Sequence, residues 1–128
     1  MGNELYSRNE LVAIRTKAIA LKAAGAITSS SDTKTSDPIK VTQFTEANFF
    51  LDVTAVAGTP SPTLIVVIYT KDPISGRWYT LQTFTTVTGV TTQMLSSAAN
   101  IGGYLAVGWT KGGDCTGATF SVGAVLKA

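Results

Sequence analysis

The stretch from Ala47 to Lys71, ANFFLDVTAVAGTPSPTLIVVIYTK, limits the folds open to this chain more than any other segment. Phe49, Leu51, Val53 and Ala55 alternate with Phe50, Asp52 and Thr54, the period of a strand with one buried and one largely wet face. Gly58, Pro60, Ser61 and Pro62 break the pattern, and a β-branched run follows from Thr63 to Thr70. Such residues fix or free the backbone at a turn between two strands. In the second run Leu64, Val66 and Ile68 form one apolar face, and Ile65, Val67 and Tyr69 form the other. Both faces of that strand therefore call for cover. Covering the second face is worth roughly 1.5–3 kcal/mol per side chain, large beside a domain stability of about 5–15 kcal/mol. An oligomer contact, a lattice contact, or an N-terminal arm crossing its own sheet or a neighbour's would supply it.

The remaining punctuation is equally regular. Residues 1–16 read as a polar N-terminal arm, in which Ser7-Arg8-Asn9-Glu10 before Leu11-Val12-Ala13-Ile14 has the form of a capping box and marks a short helix. Leu11, Ile14, Ala18 and Leu21 fall at helical spacing, whereas Ile19, Leu21 and Ala23 alternate, which favours a strand from about Lys17 to Ala23. Gly25 and the polar run from Thr28 to Asp37 read as a loop, and Pro38 restarts the chain in extended form. Ile39 to Gln43 reads as a short strand. Lys71-Asp72-Pro73-Ile74-Ser75-Gly76-Arg77 is the strongest turn signal, with Asp and Pro suited to its first positions and Gly76 to positive φ at its end. Return strands follow at Trp78 to Thr85, Thr91 to Leu95, Tyr104 to Thr110 and Thr116 to Leu126. About eight strands without an intervening helical period predict an all-β fold: an antiparallel sandwich, immunoglobulin-like or jelly-roll-like, over residues 17–128. Its predicted core is Phe49, Leu51, Val53, Leu64, Val66, Ile68, Leu81, Leu105, Val107, Trp109, Phe120 and Val122.

Composition narrows the chemistry. A chain of 128 residues with 45% hydrophobic and 14% charged side chains is a foldable single domain. Histidine is absent and Cys115 is the single cysteine, so neither a structural zinc site nor a histidine-dependent nucleophile is expected. The longest apolar runs fall far short of the ~20 residues of a spanning helix. Met1 to Arg15 carries four charges and no apolar core, so no signal peptide is expected either. The net charge of +2 arises from residues 1–40, where Arg15, Lys17 and Lys22 are the nearest approach to a basic stripe. A solvated face explains them better than a nucleic-acid surface, which needs a clustered stripe.

Glu46, Asp52, Asp72 and Asp114 are the carboxylates that a glycosidase-like pair would draw on. Three of them fall in turns, where acids are ordinary, and no Asp-x-Asp spacing suggests calcium. No catalytic residue, metal ligand or cofactor is therefore assigned. Gly102-Gly103 and Gly112-Gly113 lack the helix and Lys-Ser/Thr of a phosphate loop. Trp78, Tyr79, Tyr69 and Tyr104 form a stacking platform only if they face solvent.

Taken together, Phe49 to Val56, Gly58-Thr59, Ser61 to Leu64, Thr70 to Pro73 with Gly76 to Tyr79, Leu105 to Trp109 and Phe120 to Leu126 resemble small β-sandwich virion proteins of tailed double-stranded DNA bacteriophages. The resemblance spans about residues 38–127 and its motifs are structural. It implies a non-enzymatic capsid decoration (cement) protein on the capsid exterior, assembled in the host cytoplasm. Its partners would be the major capsid protein and sister copies in a dimer or trimer, with no nucleic acid and no membrane. The alternative is a tail or head-fibre module that binds carbohydrate or a receptor through exposed aromatics. The candidate interface combines the arm's apolar anchors Leu5, Tyr6, Leu11, Val12 and Ile14 with Ile65, Val67 and Tyr69.

Overall fold

The structure, a computed structural model, describes residues 16–97 and 101–128. Among these are nine strands and no helix: β1 (Thr16–Ile27), β2 (Ser31–Asp32), β3 (Ile39–Lys40), β4 (Glu46–Ala57), β5 (Pro62–Lys71), β6 (Trp78–Thr83), β7 (Thr91–Ser97), β8 (Tyr104–Gly113) and β9 (Gly117–Lys127). One sheet has the order β1-β9-β4-β7, and the other β2-β8-β5-β6 with β3 also on β8. Every pairing is antiparallel. β2 and β3 occupy the same edge of β8, as two pieces of one interrupted strand. Counted so, eight strands lie in two sheets ordered 1-8-3-6 and 2-7-4-5, which is the jelly-roll connection and not the immunoglobulin one. The predicted helix near Ser7 to Ile14 lies outside the described residues.

Alternation places the side chains as their polarity demands. Along β4, Ala47, Phe49, Leu51 and Val53 are buried while Asn48, Phe50, Asp52 and Thr54 are exposed. β5 buries Leu64, Val66 and Ile68 against them from the opposite sheet. These two strands, adjacent in sequence, form an arch between sheets and do not pair. The hairpin is β5–β6, closed as its turn chemistry predicts. The Asp72 amide donates to the Arg77 carbonyl and the Gly76 amide to Asp72, both at 2.9 Å, with Gly76 at φ 73°. At the far end of the sandwich the β4–β5 and β8–β9 arches are tied together. The Asp114 amide donates to the Ser61 carbonyl at 3.1 Å, and the Ser61 amide donates to the Asp114 carboxylate at 3.0 Å.

Both open sides of the sandwich are closed by polar side chains. On one, Gln93 of β7 accepts from the Thr85 amide at 2.8 Å and donates to the Thr85 carbonyl at 2.9 Å, standing in for a strand partner. Gln82 of β6 donates to the Ser96 carbonyl of the facing sheet at 3.1 Å. On the other, a bulge in β1 between Ala20 and Lys22 turns both Leu21 and Lys22 inward. The Lys22 ammonium then donates to the carbonyls of Ala23, Gly25 and Phe120 at 3.0–3.2 Å. It also lies over the rings of Phe120 and Trp109, which meet edge to face.

Ten of the twelve predicted core residues are buried; Leu81 and Trp109 are half-buried at its margin. Leu81 is the extra residue of a bulge opposite Ile68 and Tyr69, and Trp109 turns its indole N–H to the Ser29 carbonyl at 2.9 Å. The polar run from Thr28 to Asp37 is partly sheet. Its Thr33 exchanges hydrogen bonds with Val107, amide to carbonyl at 2.8 Å and amide to hydroxyl at 3.0 Å. Ser30 Oγ accepts from the Lys111 amide at 2.9 Å. β3 stops at Lys40, short of the predicted Gln43.

Candidate functional site

The outer faces of the two sheets are the broad surfaces of the molecule, and they differ in kind. On the five-stranded sheet Ile65, Val67 and Tyr69 share one face, as their spacing requires. Ile65 is 38% exposed, while Val67 and Tyr69 are half-buried. The chain itself supplies part of the cover. Tyr69 packs against Gly108, where an added Cβ would stand 2.5 Å from the ring. From above, Lys34 sets its ammonium 3.9 Å from the ring centre. Asp32 holds the backbone there by accepting from the Lys34 amide at 2.9 Å.

Further along this face the register lines up Trp78, Lys71, Tyr104 and Lys40 across four strands. The Lys71 ammonium lies 5.7 Å from the Trp78 ring centre and 5.3 Å from that of Tyr104. These aromatic faces are thus shared with the chain's own cations, an arrangement worth about 0.5–2 kcal/mol per contact. Tyr79, the exposed member of the predicted platform at 53%, stands apart on the alternate face of β6.

The four-stranded sheet carries a different surface. Its outward rows run Thr16-Lys127-Glu46, then Ala18-Val125-Asn48-Ser96, then Ala20-Gly123-Phe50-Met94, then Ser121-Asp52-Thr92. Polar rows bracket a middle that is apolar apart from Asn48 and Ser96. Within it Phe50 is 40% exposed, Val125 40% and Met94 59%. Sequence reading missed this face, because Phe50 was grouped with Asp52 and Thr54 as a wet side. The available signal was a large aromatic at an outward position of a regular strand.

The carboxylates do other work. Asp72 accepts from the Ile74 amide at 2.9 Å and the Ser75 hydroxyl at 2.8 Å, and these bonds hold its carboxyl below the usual carboxylate range. Asp114 ties two arches, and Asp52 and Glu46 project from the outer face of β4. Among the described residues no three Cys, Asp or Glu side chains converge. Cys115 is buried, its thiol donating to the Gly117 carbonyl at 3.4 Å. Burial pulls the Lys22 amine below the ordinary lysine value. Leu5, Tyr6, Leu11, Val12 and Ile14 lie outside the described residues.

No protein-family model matches the chain, and no curated protein matches it in sequence. Solved structures do. The SPBc2 prophage-derived protein YomS is similar at a TM-score of 0.52 and 14% identity, over 88% of this chain and 93% of that one. A chain of the T13 viral particle of infectious bursal disease virus gives 0.52 at 14% identity over 88% of this chain, and one from the Gx strain of that virus gives 0.51 at 14% identity over 88%. The chain spans 31% of the length of each viral chain. At this identity the likeness is one of fold: a jelly roll that a prophage-derived protein and viral particle chains also have.

Proposed function

We propose that this chain is a non-enzymatic virion structural protein of a tailed bacteriophage. Specifically, it is a capsid decoration (cement) protein that binds the exterior of the major capsid lattice and stabilises it, without cofactor, metal or nucleic acid. The observation that carries the reading is the disposition of its side chains. The turn acids Asp72 and Asp114 are spent on backbone ties, whereas large apolar side chains project from flat sheet faces: Ile65 on one side, and Phe50, Met94 and Val125 on the other. Such surfaces suit protein contacts and not turnover. The fold supports the reading by analogy alone, since jelly rolls serve in viral particles and in lectins alike. Host cytoplasm is the place of assembly on this reading.

A tail module that stacks on sugar rings is the second reading, favoured by the row of Trp78 and Tyr104. The lysine placed over both rings weighs against it, because a sugar would have to displace that cation. Adding the purified protein to undecorated capsids tests the choice. Saturable binding on the capsid exterior fits the decoration role, whereas glycan binding without capsid binding sinks it.

A further inference from the structure

We infer that the outer face of the four-stranded sheet is a two-fold homodimer interface, with an axis running parallel to the strands between β4 and β9. The strand register sets the contacts across that axis. Such an axis exchanges β4 with β9 and β7 with β1, so each outward residue of one strand meets the residue now paired beside it, but in the partner. Phe50 faces the partner's Gly123, Met94 faces the partner's Ala20, and Glu46 faces the partner's Lys127, while in the row between them Val125 faces the partner's Asn48 and Ala18 the partner's Ser96. In the Phe50 row large meets small, at the Glu46 end acid meets base, and each contact is made twice, as a closed two-fold interface requires.

Size and shape agree. Phe50 and Met94 are the large exposed side chains on one half of the face, flanking an open hollow with Asp52 and Thr92, and Ala18, Ala20 and Gly123 leave a shallow hollow on the other half, beside Val125. With strands ~4.8 Å apart and ~3.3 Å per residue, β4 and β9 overlap along their length but β7 covers the partner's β1 over its 7 residues only, a footprint of roughly 600 Å², the size of a modest interface beside the ~800 Å² that each partner of a standard complex covers. The row of Phe50, Met94, Ala20 and Gly123 supplies the apolar centre, and the polar end rows the rim. The opposite sheet lacks this self-complementarity, since Lys34 and Lys71 already lie over its aromatic rings. The inference stands apart from the capsid reading, because the purified chain alone tests it.

Sedimentation equilibrium of the full chain should give a dimer at tens of micromolar. Gly123→Arg should fill the hollow beside Val125 without disturbing the subunit, as a Cβ at Gly123 meets nothing closer than the Ile19 carbonyl at 3.7 Å. Phe50→Arg should remove the exposed aromatic side chain. Each should weaken dimerisation by about 30-fold or more, the effect of losing a central contact, with an unchanged circular dichroism spectrum. Ile65→Arg, on the other sheet, should leave the dimer intact. Glu46→Lys should weaken it, and Glu46→Lys combined with Lys127→Glu should restore it. A monomeric or trimeric wild type, or a dimer that survives Phe50→Arg, overturns the inference, as does a dimer lost in Ile65→Arg.

Discussion

The Lys22 ammonium stands 4.2 Å from the centre of the Phe120 ring and donates a 3.0 Å hydrogen bond to the carbonyl of the same residue. One side chain thereby closes the gap between β1 and β8, donating to the carbonyls of Ala23, Gly25 and Phe120 and lying over the Trp109 ring of β8. Lys22→Met keeps the aliphatic stem and loses the donors. We expect it to lower the unfolding free energy by about 1–2 kcal/mol, the range for lost hydrogen bonds and a cation over an aromatic ring. Urea unfolding checks this: the midpoint should fall with an unchanged slope.

Two glycines are fixed by what lies against them. Gly58 has φ 123°, and a Cβ there would collide with the Asp114 carbonyl. Gly58→Ala should therefore cost about 3 kcal/mol or more, combining backbone strain with a clash. Gly108→Ala pushes on the Tyr69 ring and, more lightly, on the Asp32 Cβ, side chains and not backbone, and should cost about 1–3 kcal/mol. Thermal unfolding of the two variants should rank them in that order.

Acid acts on the β5–β6 turn. The Ile74 amide and Ser75 hydroxyl depress the Asp72 carboxyl, so the folded protein binds fewer protons there than the unfolded chain. The stabilisation is then complete above the ordinary carboxylate value of about 4 and lost as pH falls through the depressed one. Asp72→Asn lacks this dependence. Denaturation midpoints of the two proteins should differ at neutral pH and converge in strong acid; a constant difference across pH would contradict the assignment.

How much of this was legible depends on whether the cause was local. The β5–β6 hairpin was readable, because Asp72, Pro73 and Gly76 fix the turn by their own backbone preferences. The alternation of β4 and β5 was readable for the same reason. Partners were not, since Phe49 pairs with Ala124 and Lys22 reaches Phe120, contacts that no short window contains. The stretch around Thr33 read as a loop because its hydrogen bonds go to Val107 and not to a neighbour. Phe44, Phe84, Val87 and Ile101 are core residues without a period, set outside the regular strands, Phe84 and Val87 on a segment that bonds along β5. At the candidate site, Ile65, Val67 and Tyr69 were correctly placed on one face, but their partial cover by Lys34 comes from a segment about 30 residues earlier. The Phe50 and Met94 pair was hidden because its outward position conflicts with the hydrophobic pattern.

The arm gives a further expectation. The described core begins at Ile19 and Leu21, so deleting residues 1–14 should leave the sandwich folded by circular dichroism. Leu5, Tyr6, Leu11, Val12 and Ile14 would each contribute about 1.5–3 kcal/mol on burial against a partner, before the cost of ordering. Capsid occupancy should therefore drop on truncation, and salt should matter less, since the arm's charges nearly balance. Wild-type occupancy by the truncated protein would move the binding surface to the sheet faces.

The decoration role is tested most directly by counting copies of this chain in purified virions, by quantitative mass spectrometry together with an electron cryomicroscopy map of the capsid. Hundreds of copies on the outer capsid surface are the predicted result; a handful confined to the tail, or none at all, would contradict it.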